Sequence, residues 1–185
     1  MSRSNFGGPC HQWFAAQVWS GREDASATHL RLRGYEVFLP CHLERRRWSD
    51  RIKKVNRPLF PGYVFCRVRE DVAGNCVMAP GVIRIVGNGQ HPIAIPDEEI
   101  ETIERIVATG LDAQPWPFLQ GGQRVTIERG PLSGTQGLVV RARGSHRLVV
   151  SVHLLLRSVA VEIDADWVSV SPVDPPSEAG DTPLG

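Results

Sequence analysis

The stretch Arg57-Pro58-Leu59-Phe60-Pro61-Gly62-Tyr63-Val64-Phe65 joins a bent, proline-bracketed approach to an aromatic strand, directly after a run dense in positive charge. Pro58 and Pro61 fix φ and withhold two backbone donors, so the chain enters extended, and Gly62 relieves crowding just before the strand begins at Tyr63. Side chains then alternate: Tyr63, Phe65 and Arg67 share one face, and Val64, Cys66 and Val68 the other. The second set reads as core. The aromatic set, with Phe60 just upstream, needs a cover, either a helix of the same domain or the surface of a partner.

Outward from this strand the chain reads as two units. Trp13 to Trp19 is a first strand ending at Ser20-Gly21. Ser20 and Glu23 stand at capping-box spacing, and the helix that follows carries Ala25, Thr28 and Leu32 on one stripe before Gly34 stops it. Tyr35 to Pro40 is a second strand, and the polar segment from His42 to Asn56 is a protruding hairpin that returns into Tyr63–Val68. Glu70 to Met78 is a short helical stretch, Val82 to Val86 a strand closed by Gly87-Asn88-Gly89, and Asp97 opens a helix with Ile100, Ile103, Ile106 and Val107 at helical spacing, ended by Gly110. The fold class is α+β: an antiparallel sheet with flanking helices over residues 12–108.

Residues 109–119, with Pro115 and Pro117 and no periodicity, read as a flexible linker. From 120 to 170 the pattern becomes five short alternating strands, a small SH3-like β-barrel. Gly137 ends a glycine-rich turn where a positive φ or a close backbone approach is expected. Leu132 lies near the tip of that turn, and the run Leu154-Leu155-Leu156 exceeds what strict alternation buries, so one or two leucines are expected to face outward as a partner site. The leader 1–11 and the proline-rich tail 171–185 are expected to be disordered.

Composition narrows the function. The chain is 42% hydrophobic and 22% charged with a formal net charge of +1, so any nucleic-acid contact must come from a local patch. Such a patch exists. Arg45, Arg46, Arg47, Arg51, Lys53, Lys54 and Arg57 supply seven of the 21 Lys and Arg residues, with Trp48 among them and Asp50 opposing. Clustered cations pair with phosphates and an interleaved indole stacks on a base, although a solvated hairpin without a ligand has the same composition.

Catalysis finds no foothold, because no phosphate loop, nucleophile elbow or zinc-protease helix is present, and an enzyme is not expected. Cys10-His11 and Cys41-His42 do not repeat metal-ligand spacing, and no metal or cofactor is expected. The four cysteines form no C-x-x-C pair, no signal peptide opens the chain, and no apolar run approaches the roughly 18 residues of a membrane span, so a cytoplasmic monomer is expected.

Together, Trp13-Phe14-Ala15-Ala16-Gln17 with Ser20-Gly21, the basic hairpin, Phe60-Pro61-Gly62-Tyr63-Val64, Pro80-Gly81-Val82 and Pro92-Ile93-Ala94-Ile95-Pro96 resemble the N-terminal (NGN) domain of NusG-type transcription elongation and antitermination factors. The second unit is similar to their KOW domain, and Trp48-Ser49-Asp50-Arg51 and Pro58-Leu59-Phe60-Pro61 look closest to specialised paralogues of the RfaH, UpxY and LoaP kind. The resemblance implies a first domain seated on the β′ clamp helices of RNA polymerase through Trp13, Gln17, Trp19, Phe60, Tyr63 and Phe65. It implies a hairpin reaching the nontemplate DNA strand or nascent RNA, and a KOW barrel recruiting Rho or a ribosomal protein through Leu132 and Leu155. The competing function is a free-standing RNA-binding or ribosome-associated KOW protein. The second domain is expected to remain a barrel rather than switch to helices, since Val149, Val150, Val152, Val159, Val161 and Ile163 favour strands.

Overall fold

The computed structural model describes residues 11–48, 51–118, 123–142 and 145–170, so the leader before residue 11 and the tail from 171 lie outside the described residues. The chain opens with strand β1 (His11–Val18) and helix α1 (Glu23–Leu32), followed by β2 (Glu36–Phe38), β3 (Cys41–Trp48), β4 (Arg51–Pro58) and β5 (Tyr63–Arg69). A 3-10 segment (Glu70–Met78) leads to β6 (Val82–Ile85) and helix α2 (Asp97–Thr109). Strands β2, β5, β1 and β6 lie side by side in that order, with β5 and β1 paired antiparallel from His11↔Arg69 to Gln17↔Tyr63.

The period-two reading of β5 holds on both faces. Val64, Cys66 and Val68 join Phe14, Ala16 and Val18 of β1 and Ala27 and Leu30 of α1 in one core. Phe65 joins Trp13, Ala15 and Phe60 in a second core that contains Ile100, Ile103 and Ile106 of α2. A helix therefore backs each apolar cluster of the sheet, as expected when both faces of alternating strands are apolar.

Three local expectations are corrected. No side chain caps α1, because the Glu23 carboxylate accepts the Gly62 N–H at 2.8 Å and is buried against the Pro61–Gly62 turn. The buried stripe of α1 is accordingly Glu23, Ser26, Ala27 and Leu30, whereas Leu32 is 78% exposed. Gly62 is required for its left-handed backbone (φ +83°) rather than for space, since an added Cβ would meet nothing nearer than 3.7 Å.

Helix α2 ends at Gly110 in the left-handed conformation, and the expected linker is not free: Ala113–Pro117 forms strand β7, paired with a later strand. The remaining strands are β8 (Gln123–Ile127), β9 (Gln136–Ala142), β10 (Ser145–Val152), β11 (Arg157–Ile163) and β12 (Val168–Val170). They form one antiparallel sheet in the order β12-β8-β9-β10-β11-β7. Pro115 and Pro117 are compatible with this because β7 is an edge strand, where a missing donor costs little. The barrel interior is filled by Val125, Ile127, Leu148, Val150, Val152, Val159, Val161 and Ile163.

Gly137 lies in β9 opposite Val125, and a Cβ there would stand 2.8 Å from the Val149 carbonyl oxygen and 2.9 Å from Leu148 Cδ1. Close approach is the reason for this glycine. Gly137→Ala is expected to destabilise the barrel by about 1–3 kcal/mol through overpacking, seen as a lower melting temperature of the full chain. An unchanged transition would show that the strands separate freely.

The two units touch. His153 donates its backbone N–H to Glu99 Oε2 (3.2 Å), its ring Nδ1 lies 2.8 Å from Glu99 Oε1, and Arg105 Nη1 donates to Thr135 Oγ1 at 3.3 Å. Beside these contacts, Glu98 and Thr102 of α2 and Arg124, Leu138 and Ser151 of the barrel line a cavity of about 770 Å³.

Candidate functional site

The positive hairpin is built as its own two-stranded sheet, with β3 and β4 in register from Cys41↔Pro58 at the base to Trp48↔Arg51 near the tip. It is anchored where the chain returns to the first domain: Leu59 is buried and donates its N–H to the Pro40 carbonyl at 2.8 Å. Lys54 is exposed, and Arg57 donates to Glu44 Oε2 at 3.2 Å. The side chains of Arg45, Arg46, Arg47, Trp48, Arg51 and Lys53 lie outside the described residues. Their backbone register alone places six of the seven cations along two paired strands, beyond the buried base.

The aromatic set divides. Phe60 and Phe65 meet edge to face with ring centroids 5.3 Å apart, Phe38 lies 6.2 Å from Phe65, and Trp13 lies 6.4 Å from Phe38. Trp13, Phe60 and Phe65 are all 4% exposed or less. These three are interior, a correction to the expectation that they present a partner surface, because the isoleucine face of α2 completes their cluster. Arg67 extends this packing, its guanidinium 5.9 Å from the Trp13 ring centre and 3.5 Å from Asp97 at the start of α2.

Gln17 and Tyr63 are register partners on neighbouring strands, and both are half-buried. On the other side of β1, Gln17 is paired with Arg84 of β6, whose Nε donates to Gln17 Oε1 at 2.7 Å. Tyr63, Gln17 and Arg84 thus form a row across three strands, on the same face as Phe65 and Trp13 but open to solvent. Trp19, just past the end of β1, is 65% exposed. Arg84 was not among the sequence-predicted residues, since nothing local in Val82–Val86 says which strand it adjoins.

In the barrel, Leu132 is fully buried and Leu155 is 8% exposed, which corrects the expectation that they face a partner. The turn carrying Leu132 folds inward, held by Gly134 N–H to the Ile127 carbonyl at 2.7 Å. The leucine run does surface, at Leu156, which is 62% exposed and held in a left-handed conformation (φ 48°). Among the described residues no group of three or more His, Cys, Asp or Glu could hold a metal ion, and no helix is long and apolar enough to cross a membrane.

Comparison with known proteins follows this geometry. Residues 11–104 match the family described as "Transcription termination factor nusG". The transcription termination/antitermination protein NusG of Escherichia coli strain K12 is 29% identical over 174 residues, which cover 86% of this chain and 96% of the relative. The protein of the same name from Borreliella burgdorferi is 28% identical, over 82% of this chain and 94% of the relative. The solved structure of NusG from Thermotoga maritima superposes with a TM-score of 0.53 at 20% identity, covering 86% of this chain and 97% of that one, a likeness of fold.

Proposed function

The chain belongs to the NusG family of transcription factors, whose members are not enzymes, and from this premise we propose that it is an elongation or antitermination factor that rides on RNA polymerase. The observation that carries the proposal is the hairpin β3–β4, a separate two-stranded sheet holding a third of the positive charge of a chain whose net charge is +1. A local cationic arm on a neutral body engages phosphates at one point instead of coating nucleic acid. The arm contacts the nontemplate DNA strand or nascent RNA, and the first domain holds the β′ clamp helices so that pausing or termination is reduced.

The contact with polymerase is the open row Tyr63, Gln17 and Arg84, with Trp19 at its margin. Buried Trp13 and Phe65 lie on the same strands and the same face as that row, and with Phe60 they form the cluster against which Tyr63 packs. Trp and Tyr surrounded by packed neighbours are the usual anchors of protein interfaces. The barrel recruits Rho or a ribosomal protein, and Leu156 is its exposed apolar contact.

Titration of core RNA polymerase with the full chain tests the assignment. Tyr63→Ala is expected to weaken binding by roughly tenfold or more. Arg84→Glu, at the exposed end of the row, is expected to do the same with an unchanged melting temperature. Wild-type affinity in both variants would overturn the polymerase surface. Failure of the unaltered chain to bind polymerase, with retained binding to RNA, would instead support a free-standing RNA-binding KOW protein.

A further inference from the structure

On the far side of the central sheet from the proposed polymerase row, two thiols face each other. Cys66 projects from β5 and Cys76 from the 3-10 segment that follows, and their sulfur atoms are 3.8 Å apart, with the Cys66 thiol directed at Cys76. Both are fully buried in the cluster formed with Phe14, Val64, Leu30 and Ala73. Apart from Cys76, the Cys66 thiol has the Phe14 carbonyl within weak hydrogen-bond reach at 3.7 Å. We propose that Cys66 and Cys76 are a reversible oxidation site, which closes to a disulfide when the protein meets a hydroperoxide.

The geometry meets the main requirements of the reaction. A disulfide needs the sulfurs about 2.05 Å apart, so a closure of under about 2 Å suffices. Cys76 is carried by a 3-10 segment, whose hydrogen bonds are poorer than those of an α-helix, flanked by the exposed residues Gly74, Asn75, Val77 and Met78. Local opening of such a segment admits a molecule the size of hydrogen peroxide and supplies the movement.

The electrostatics assign the roles. Hydrogen bonds from Cys66 and, more weakly, from the Tyr35 hydroxyl pull the Cys76 thiol below its ordinary range despite burial, whereas donation to Cys76, burial and the charge on Cys76 push Cys66 upward. Cys76 is the attacking thiolate. Its sulfur attacks one peroxide oxygen, the O–O bond breaks, and the departing hydroxide takes up a proton to leave as water, giving Cys76 sulfenic acid. The Cys66 sulfur then displaces the sulfenic hydroxyl, which leaves as a second water with the Cys66 proton. Two thiols and one hydrogen peroxide yield one disulfide and two waters, the sulfurs losing the two electrons that the peroxide gains. Cys41, by contrast, is raised by burial and by the neighbouring Asp24 and Glu23.

The experiment treats the folded full chain with hydrogen peroxide, blocks remaining thiols with N-ethylmaleimide and maps peptides by mass. The expected product has lost two hydrogens, carries a Cys66–Cys76 crosslink that dithiothreitol reverses, and is alkylated at Cys10 and Cys41. The Cys10→Ser/Cys41→Ser double variant, which leaves the buried pair untouched, gives the same crosslink, and Cys76→Ser gives none. Amide hydrogen exchange across residues 70–79 slows by about tenfold or more on oxidation, because the crosslink closes a short loop. Crosslinks through Cys10 or Cys41, arrest of Cys76 at sulfenic or sulfinic acid with Cys66 still alkylated, or an unoxidised pair where Met78 is already converted to sulfoxide would each overturn the proposal.

Discussion

Replacing Phe60 by alanine is expected to cost the first domain about 3–5 kcal/mol, a large share of the roughly 5–15 kcal/mol that holds a domain folded. Phe60 is 1% exposed, and its ring meets the edge of Phe65 at 5.3 Å and 83°. Such an aromatic pair contributes about 0.5–1.5 kcal/mol beyond the area it buries. Its carbonyl also accepts the Tyr63 N–H at 3.1 Å, so the residue shapes the turn that delivers Tyr63 to the sheet. Urea unfolding of the full chain checks this, and a loss below about 1 kcal/mol would mean that the site collapses around the cavity or that Phe60 is not interior. Loss of polymerase binding in Phe60→Ala is therefore not a test of a contact. Phe60→Leu, which retains most of the volume, is expected to bind normally if the residue acts only from the interior.

Neutralising the hairpin is expected to have the largest effect on nucleic-acid binding. Arg45, Arg46, Arg47, Lys53 and Lys54 changed together to glutamine remove five of the seven cations between Arg45 and Arg57. For a single strand each phosphate contact contributes about 0.7 to the slope of log affinity against log salt, so losing five flattens the slope by about 3.5 and lowers affinity at low salt by roughly two to three orders of magnitude. The strands pair only with each other among the described residues, so the melting temperature should stay near that of the unaltered chain. Fluorescence anisotropy with a single-stranded oligonucleotide at several salt concentrations measures both quantities. An unchanged slope would leave the hairpin as a solvated projection and remove the observation on which the proposed function rests.

Much of the architecture was legible because it is written in short-range periodicity. The alternation in Tyr63–Val68 separates the two cores, and the isoleucine spacing after Asp97 marks the buried face of α2. The turn at Gly110 and the strands of the barrel follow from equally local patterns. Glu23 shows where locality fails. At capping spacing from Ser20 it reads as a cap, yet the 62nd residue offers a buried N–H that no window around α1 contains. Residues 113–117 fail for a similar reason: two prolines suggest a linker, but an edge position opposite β11 asks nothing of the donors they lack.

The candidate site was legible in composition and only partly in placement. The cationic hairpin is a matter of residue order, and pairing of β3 with β4 needs nothing beyond the hairpin itself. Which aromatics are open depends on what packs above them. The chain's own order determined two units, their strands and helices, the two faces of β5 and the charged arm, because backbone periodicity and clustered charge are local properties. Only the tertiary structure decided that α2 closes over Trp13, Phe60 and Phe65, that Tyr63, Gln17 and Arg84 align across three strands, and that Cys66 meets Cys76. Burial and distance are set by contacts between segments far apart in the chain, and no local pattern encodes which segments those will be.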